Sequence, residues 1–292
     1  ESLDLFAGQI GEDEKLFYKF QDQGDRWVAL RYDQTVPTCR VIGQYYNELI
    51  FPFKRYQIQS NFRAEKPQKG RYREFVQADI DIFGVKSATA DAECIALSLD
   101  LYRSLGFKKV IGLINNRNLL KGIPYCAISS IAKLKKIGVD GVIKEMVGKG
   151  IVLELAKGYL DKINSLKPDE TLIKIFDYLK TSGFSEDWYK FEPTLARSFS
   201  YSEGPIWEII IPEYESGSVG GGERYDGMLA EISGQDIGGT GIAFGFDRII
   251  EAMNELNLFP TNLKATKVLV TIFSPELVNK SLEISSQLRL ND

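Results

Sequence analysis

The sequence predicts an α+β protein in which an antiparallel sheet is flanked by helices. Apolar and polar side chains alternate through 53–62 and through 75–82, which is the period-two pattern of strands. A loop with proline and glycine joins these two runs, so they form a hairpin. Later stretches such as 91–105 and 169–183 carry apolar residues at helical spacing.

The first elements are a second hairpin and a helix. Aromatic and β-branched residues surround a glycine-containing turn at 22–26, which predicts a hairpin within 14–31. An amphipathic stretch follows and predicts a helix that ends near Tyr46. Asp33 and Thr35 lie where strand gives way to helix, and helix capping explains both residues without a ligand.

The central hairpin, 53–83, has one polar face and a basic loop at 66–73. Its polar face is either an ordinary exposed surface or a platform for a ligand. In the second interpretation the guanidinium groups of Arg63, Arg71 and Arg73 bind phosphate oxygens, because their planar donors match that geometry. Gln77, Asp79 and Asp81 would then hold a cationic or amide-like group nearby.

Beyond the hairpin, a helix at 91–105 closed by Gly106 precedes a strand at 109–115. The region 118–185 is rich in lysine and divided by glycines, which predicts a helical insertion. Its charges form either a solvated surface or a contact with a polyanion. We therefore expect four parts: 1–117 and 186–260 as a core, 118–185 as the insertion, and 266–292 as the beginning of a further α/β domain.

The second half of the core is rich in glycine. A strand at 206–211 with both faces covered is followed by glycines at 217–222, and a glycine-rich strand at 238–245 leads into a helix. Arg248 begins that helix, where its charge opposes the helix dipole, so we expect it to have a partner or a ligand. The apolar run 268–273 predicts a strand, and Ser274 with the following proline predicts the start of a last helix.

Composition limits the possible functions. The chain has 292 residues, 44% of them hydrophobic, and a net charge of −4, which gives no global nucleic-acid signature. Three scattered cysteines favour free, buried thiols and a cytoplasmic protein rather than a disulfide framework or a zinc cluster. The absence of histidine excludes mechanisms that need an imidazole, and no run reaches membrane length. A chain that starts at Glu1 is also expected to be truncated at both ends.

Three segments together resemble the class II aminoacyl-tRNA synthetases, and within them the histidyl-tRNA synthetase family. They are 30–37 (LRYDQTVP), 62–75 with its FRAE and GRYREF sequences, and 245–248 (GFDR). The second and third are similar to the family's motifs 2 and 3. Motif 1, which forms much of the family's dimer interface, would precede residue 1.

The resemblance implies ATP-dependent activation of histidine to an adenylate and its transfer to tRNA(His). In this family no protein nucleophile is needed, since positioning and electrostatic stabilisation carry the reaction. ATP with Mg²⁺ is then a substrate complex, no tightly bound cofactor is expected, and the partners are histidine, ATP, tRNA(His) and a second copy of the chain. An antiparallel sheet of six or seven strands would bind ATP in a bent form.

The resemblance also implies roles for individual residues. Arg63 would hold the α-phosphate, Arg71 the γ-phosphate and Glu65 the adenine amino group, with adenine stacked between Phe75 and Arg248 and with Arg73 also at the nucleotide. The amino acid would be bound by Asp33, Gln34, Thr35, Gln77, Asp81, Arg197, Tyr201 and Ser202. Of all these residues, Arg63, Gln77 and Arg197 would be catalytic, with Arg197 stabilising charge as the carboxylate attacks the α-phosphate.

One segment and one further residue depart from the family pattern. The segment that is usually Arg-Gly-Leu-Asp-Tyr-Tyr-Thr-Gly is RSFSYSEG at 197–204, so Ser202 replaces a tyrosine that faces the imidazole. Glu223 replaces a glycine before Arg-Tyr-Asp. These changes alter the pocket for the histidine side chain. They favour an alternative function, a synthetase-like paralogue that does not aminoacylate and acts as a regulatory subunit, as for ATP phosphoribosyltransferase.

Overall fold

A computed structural model of the chain describes residues 1–6, 11–197, 202–260 and 266–291. The chain divides into two compact units, Glu1–Leu256 and Asn257–Asp292, and each is described by itself. Among the described residues, no helix is both long enough and apolar enough to cross a membrane.

The first unit begins with the two-stranded hairpin that the sequence predicts. Strands β1 (Lys19–Gln21) and β2 (Trp27–Ala29) pair antiparallel around the turn. The Asp22 carboxylate stabilises that turn by accepting hydrogen bonds from the backbone N–H groups of Gly24 at 2.8 Å and Arg26 at 3.1 Å. Helix α1 (Thr35–Gln44) follows, and confirms the predicted amphipathic helix.

A seven-stranded sheet forms the centre of this unit. Its strands are β3 (Phe53–Phe62), β4 (Glu74–Phe83), β5 (Ile111–Asn116), β6 (Tyr189–Phe191), β7 (Glu203–Ile210), β8 (Gly220–Arg224) and β9 (Gly239–Gly245). Their order across the sheet is β3-β4-β9-β8-β7-β5-β6, and every neighbouring pair is antiparallel except β5 and β6. The structure thus confirms the predicted α+β class and its largely antiparallel sheet.

The hairpin of β3 and β4 buries its polar face. On the apolar side of β3, Tyr56 is 79% exposed and Ile58 is 57% exposed. On the polar side, Asn61 is fully buried, and Asp79 and Asp81 are each 3% exposed. The interpretation of the polar face as an ordinary exposed surface is therefore wrong, because this face turns toward the interior of the unit.

Helices cover the sheet and fix its edges. Helix α2 (Ala88–Ser104) packs against β4, β7, β8 and β9, and Gly106 follows it with a φ of +90°, a conformation that glycine favours. Helix α7 (Asp226–Ser233) packs against α1 and was not predicted. Helix α8 (Phe246–Glu255) begins directly at the end of β9, two residues before the predicted start at Arg248.

The helical region after β5 contains two different environments. Helices α3 (Tyr125–Ile131), α4 (Leu134–Gly148) and α5 (Leu153–Ser165) share a hydrophobic core of their own. Helix α6 (Glu170–Thr181) instead packs against α2 and β5. The predicted insertion boundary of 118–185 stays a prediction, and the separate core spans only the first three of these helices.

The second unit contains helix α9 (Val278–Leu290), preceded by a 3-10 turn at Pro275–Leu277. Ser274 is extended at the N-cap with proline in the first turn, as the sequence predicts. The predicted strand at 268–273 is wrong. Among the described residues it pairs with no other strand, and Leu269 and Phe273 are 79% and 92% exposed, so nothing supplies its ladder hydrogen bonds.

Candidate active site

A cavity of about 680 Å³ opens on the buried polar face of the sheet. Strands β4, β8 and β9, the loop between β3 and β4, and the start of α8 supply its walls. Ten of the fourteen predicted site residues line it: Asp33, Thr35, Arg63, Glu65, Arg71, Phe75, Gln77, Asp81, Arg197 and Arg248. The sheet thus brings together residues that lie far apart in the sequence.

Strand register explains this assembly. One row of directly paired residues runs Asp79, Ala243, Gly221, Glu208 across β4, β9, β8 and β7, and the next runs Asp81, Gly241, Glu223. Residues two apart on a strand share a face, so the side chains of both rows point into the cavity. Carboxylates therefore stand on both sides of β9, whose own residues here are glycine and alanine.

The loop end of the cavity is basic, and Arg63 is its most constrained cation. Its Nε donates a hydrogen bond to the Tyr32 carbonyl oxygen at 3.1 Å. Its guanidinium carbon lies 4.2 Å from the centroid of the Tyr32 ring and 5.0 Å from that of the Phe75 ring. Two aromatic faces and a carbonyl fix the guanidinium plane, which suits it to a defined contact with a phosphate.

Two further arginines of the hairpin loop differ in position. Arg71 NH1 lies 2.8 Å from Glu65 Oε2, and both residues line the cavity. Arg73 is exposed, its Nε lies 3.3 Å from the Glu65 carbonyl oxygen, and it does not line the cavity. The structure therefore brings Arg71, but not Arg73, to the place where the nucleotide is expected.

Arg248 is held by backbone oxygens rather than by a salt bridge. Its Nε donates to the Gly70 carbonyl at 2.7 Å and its NH1 to the Ser218 carbonyl at 2.6 Å. Burial, and then the neighbouring Arg71, lowers the pKa of Arg248. These contacts explain why a cation is tolerated in the first turn of α8, and they tie the hairpin loop to that helix.

At the other end of the cavity the sheet presents carboxyl groups. Asp81 Oδ2 lies 2.7 Å from Arg55 NH2, and the Tyr225 hydroxyl donates to Asp81 Oδ1 at 2.5 Å. Burial raises the pKa of Asp81, although Arg55 opposes this effect. Burial and then the charge of Asp81 raise the pKa of Asp79 well above its usual range.

Arg197 and Glu223 form an ion pair at the same end. Arg197 Nε lies 3.2 Å from Glu223 Oε1, and the side chains are only 14% and 7% exposed. The Ser202 hydroxyl donates to the other carboxylate oxygen, Oε2. Ser202 and Glu223, which both depart from the family pattern, therefore contact each other, and Glu223 pairs with the predicted catalytic arginine.

Three more predicted residues are not brought to the cavity wall or cannot be placed. Gln34 is 1% exposed, and its Nε2 donates to the Gln77 carbonyl at 3.1 Å, so its side chain links α1 to the sheet. Ser202 lines a different, smaller cavity, next to the helical region. Tyr201 lies outside the described residues.

Asp33, although it lines the cavity, also accepts a hydrogen bond from Val36 N–H at 3.1 Å, as its capping role predicts.

Some cavity residues were not assigned to the site from the sequence. They include Tyr32, Glu208, Tyr225 and Asp247. Asp79, which the polar face of the hairpin already indicated as a possible ligand-binding residue, also lines the cavity. Glu208 and Tyr225 depend on the pairing of distant strands, and the sequence alone does not show that pairing.

Comparisons with known proteins agree with this arrangement. The family model described as the tRNA synthetase class II core domain (G, H, P, S and T) matches residues 18–285. A histidine–tRNA ligase from Cytophaga hutchinsonii is 33% identical over 99% of this chain and 76% of that protein. One from Flavobacterium johnsoniae is 40% identical over 90% of this chain and 59% of that protein. The chain thus spans between about six-tenths and three-quarters of these two relatives.

Solved structures show the same fold. A crystal structure of histidyl-tRNA synthetase from Nostoc sp. PCC 7120 has a TM-score of 0.74 at 25% identity, covering 99% of this chain and 74% of that one. A structure from Bacillus halodurans, described as an ATP phosphoribosyltransferase regulatory subunit/histidyl-tRNA synthetase, has a TM-score of 0.68 at 20% identity and covers 95% and 76% of the two chains, so it supports the fold alone. The chain belongs to the class II tRNA synthetase family, among relatives that are named histidine–tRNA ligases.

Proposed function

We propose that this chain activates histidine with ATP to form histidyl-adenylate and pyrophosphate, and then transfers the histidyl group to tRNA(His). One observation carries the proposal. A single cavity gathers the arginines expected at the nucleotide, Arg63 and Arg71 at its phosphates and Arg248 at its adenine, and the acidic residues expected at the amino acid. Relatives at 33% and 40% identity, both named histidine–tRNA ligases, support histidine as the amino acid.

In the proposed first step, a carboxylate oxygen of histidine attacks the α-phosphorus of ATP while the bond to pyrophosphate breaks. Arg63 lies at the loop end of the cavity and Arg197 at the sheet end, so the two cations would stabilise the negative charge of the transferring phosphoryl group. Asp33, Thr35 and Gln77 would orient the ammonium and carboxylate groups of histidine. Catalysis is then positioning and charge stabilisation by fixed groups.

Mg²⁺ would arrive with ATP. Glu208 lines the cavity and would be its carboxylate ligand, and burial raises the pKa of the free side chain. The described residues include no cluster of three metal-binding side chains. This donor set fits a magnesium ion that takes most of its ligands from phosphates and water and one or two from carboxylates. The metal, when bound, neutralises phosphate charge, while the arginines orient the nucleotide.

The partners follow from the same proposal. The tRNA would approach the chain in the region of helices α3–α5, and residues 257–292 would belong to an anticodon-binding domain. Two copies of the chain would associate as a homodimer. Measuring the mass of the full-length protein in solution, with and without tRNA, tests both partners.

The direct test of the activity is amino-acid-dependent exchange of labelled pyrophosphate into ATP. Exchange with histidine, and much weaker exchange with the other amino acids, is the expected result. Arg63→Ala should reduce the exchange rate by at least about 100-fold, because a positioned cation at a developing charge contributes several kcal/mol. Wild-type exchange with a different amino acid, and none with histidine, would refute the substrate but keep the reaction.

One observation favours the regulatory-subunit alternative. Glu223 forms an ion pair with Arg197, which offsets the charge expected to act on the α-phosphate. A protein of that kind would bind histidine and show no exchange at all. Isothermal titration calorimetry measures whether the protein binds histidine, and the exchange assay measures whether it activates it. Binding without exchange would support the regulatory subunit.

A further inference from the structure

The floor of the sheet end of the cavity is a narrow slot. Strand β9 presents Gly241, Ala243 and Gly245 to the cavity, and β4 and β8 flank it. Two strand spacings separate the flanking strands, so the slot is about 10 Å wide between their backbones. The Asp81 carboxyl group lies over this floor at Gly241, because a methyl group added there would overlap Asp81 Oδ1 and lie 2.5 Å from the Ile80 carbonyl oxygen.

The two walls of the slot carry carboxyl groups that face one another. Asp81 rises from β4 and Glu223 from β8, and both are paired in register with Gly241. Asp81 is 3% exposed and Glu223 is 5% exposed. A flat group held above β9 between these two side chains would therefore meet an acidic oxygen at each edge.

The carboxylate of Glu223 is fixed in place and still has capacity to accept hydrogen bonds. Arg197 holds Oε1 and Ser202 holds Oε2. A carboxylate has about four lone-pair sites, so two of them remain for a ligand. A glutamate rotamer held at both oxygens loses little freedom when a ligand binds, which makes it an efficient recognition group.

We propose that Glu223 is a specificity-determining residue that, with Asp81 across the slot, binds the ring of the substrate histidine in its doubly protonated, cationic form. This inference rests on the proposed function. A neutral imidazole offers one N–H donor, whereas two opposed carboxylates need two. The imidazolium ring supplies both donors and a positive charge, so it satisfies both walls.

The surrounding charges support a cation. The ionisable groups that face the slot or pack directly against it are Asp33, Cys39, Arg55, Arg63, Asp79, Asp81, Arg197, Glu208, Glu223 and Tyr225. Five of these are acidic carboxyl groups and three are arginines. Burial raises the pKa of Cys39 and Tyr225 well above their usual range, which leaves both neutral. Burial also raises the pKa of Asp79, Asp81 and Glu208, and a cation bound among these groups would favour their charged forms.

The test compares the KM for histidine of the wild-type protein and of Glu223→Gln between pH 6.0 and 8.5, by pyrophosphate exchange at saturating ATP. Free histidine loses its ring proton with a pKa of about 6.5. The wild-type KM should therefore rise toward tenfold per pH unit above that value. In Glu223→Gln the amide can donate to a bare ring nitrogen, so the rise should fall to less than threefold per unit.

A neutral isostere gives a second readout. The ring of 1,2,4-triazolylalanine has the same shape as imidazole and stays neutral over this pH range. The wild-type protein should prefer histidine to this analogue strongly at pH 6.0, and Glu223→Gln should reduce that preference at least tenfold. Glu203→Gln is the matched control, because Glu203 accepts a hydrogen bond from Gly227 N–H at 3.0 Å and lies outside the cavity.

The outcomes separate the inference from the proposed function. No wild-type exchange with histidine at any pH would refute the proposed function. Exchange whose KM does not vary with pH would refute only the cationic ring. An unchanged pH slope in Glu223→Gln, with a lower kcat, would show that Glu223 only positions Arg197. If Glu223→Gln does not fold, inhibition of the wild-type protein by triazolylalanine is measured across the same pH range instead. A site for a cationic ring predicts weak inhibition at every pH. Strong inhibition would refute the cationic ring.

Discussion

The Glu65 carboxylate and the Arg71 guanidinium pair with each other across the loop of the central hairpin, with Oε2 and NH1 2.8 Å apart. We proposed different parts of ATP as their ligands, the adenine amino group for Glu65 and the γ-phosphate for Arg71. The nucleotide must therefore exchange this ion pair for two contacts of its own. Because the Arg71 side chain is 50% exposed, the pair itself contributes at most about 1 kcal/mol.

The hairpin loop allows a matched comparison of two arginines. Arg71→Ala should raise the KM for ATP by at least about tenfold, since a charge-assisted contact with phosphate contributes roughly 1.5–3 kcal/mol. Arg73→Ala should change it by less than about threefold, because Arg73 does not line the cavity. The KM values come from pyrophosphate exchange with ATP varied. Equal effects of the two substitutions would contradict the position that the structure gives Arg73.

The Arg224 network predicts a large effect on stability. Arg224 is 6% exposed, and its guanidinium lies 2.8 Å from Asp91 Oδ2 and 3.2 Å from Asp226 Oδ1. Arg224→Ala leaves the carboxylate of Asp91 buried without its cation, and should lower the free energy of unfolding by about 3–5 kcal/mol. Urea unfolding measures this change.

The control for that measurement is Lys86, whose ion pair with Asp236 lies at the surface, where the two side chains are 54% and 89% exposed. Lys86→Ala should cost less than about 1 kcal/mol. A loss below about 1 kcal/mol for Arg224→Ala as well would mean that the network around Asp91 relaxes or admits water.

Two glycines predict opposite effects of the same substitution. A methyl group at Gly222 would overlap the Trp207 ring and lie 2.6 Å from the Gly241 carbonyl oxygen, so Gly222→Ala should destabilise the fold by about 1–3 kcal/mol. Gly158 lies within helix α5 with nothing within 4 Å of such a methyl group. Gly158→Ala should stabilise the protein by about 0.5–1 kcal/mol. The sign of the change in thermal midpoint checks both.

Asp79 predicts a dependence of stability on pH. Because its pKa is raised in the folded state, the folded protein keeps a proton that the unfolded chain releases above the usual aspartate pKa. Stability from this group is therefore present at low pH and is lost as the pH rises toward the folded-state pKa. Asp79→Asn should increase the free energy of unfolding at pH 7.5, and the gain should shrink at pH 4. A gain that does not vary with pH would point to a different cause.

The helical region predicts a salt effect on tRNA binding. Lys136, Lys144 and Lys157 are exposed on α4 and α5. If these helices contact tRNA, replacing the three lysines by alanine should change how tRNA binding depends on salt. The slope of the logarithm of the tRNA association constant against the logarithm of salt concentration should flatten by about one per lost phosphate contact. Replacing Lys108 and Lys109, which precede β5, is the control. Equal slopes for the two sets would favour a solvated surface.

The sequence predicted most elements, but not which face of the hairpin is buried. The alternation of apolar and polar residues correctly placed Tyr56 and Ile58 on one face of the hairpin and Asp79 and Asp81 on the other. It could do so because the face of each residue depends only on its position along its own strand. Which set turns inward depends on pairing with β9, more than 150 residues away, and on the glycines that leave space there. Tyr56 and Ile58 of the apolar set lie outward as a result, whereas Ile82 on β4 is buried.

Two further differences have local causes. Helix α7 was missed because Gly227 lies in its first turn, three residues after a glycine-rich strand, a composition typical of loops. The strand predicted at 268–273 has a strand-like composition, but pairing needs a partner strand, and composition does not report one. Site residues on β4 were found by parity, whereas Glu208 needed the register of β7.

The contacts of Arg248 have a consequence for the cost of binding nucleotide. Arg248 holds the hairpin loop at Gly70, and Lys69 in the same loop lies 2.5 Å from Glu255 at the end of α8. The loop is therefore ordered when the protein folds, and not when the nucleotide arrives. Preorganisation of this kind removes an entropy loss from binding, so the phosphate contacts of the loop are offset mainly by the Glu65–Arg71 ion pair that the nucleotide has to break.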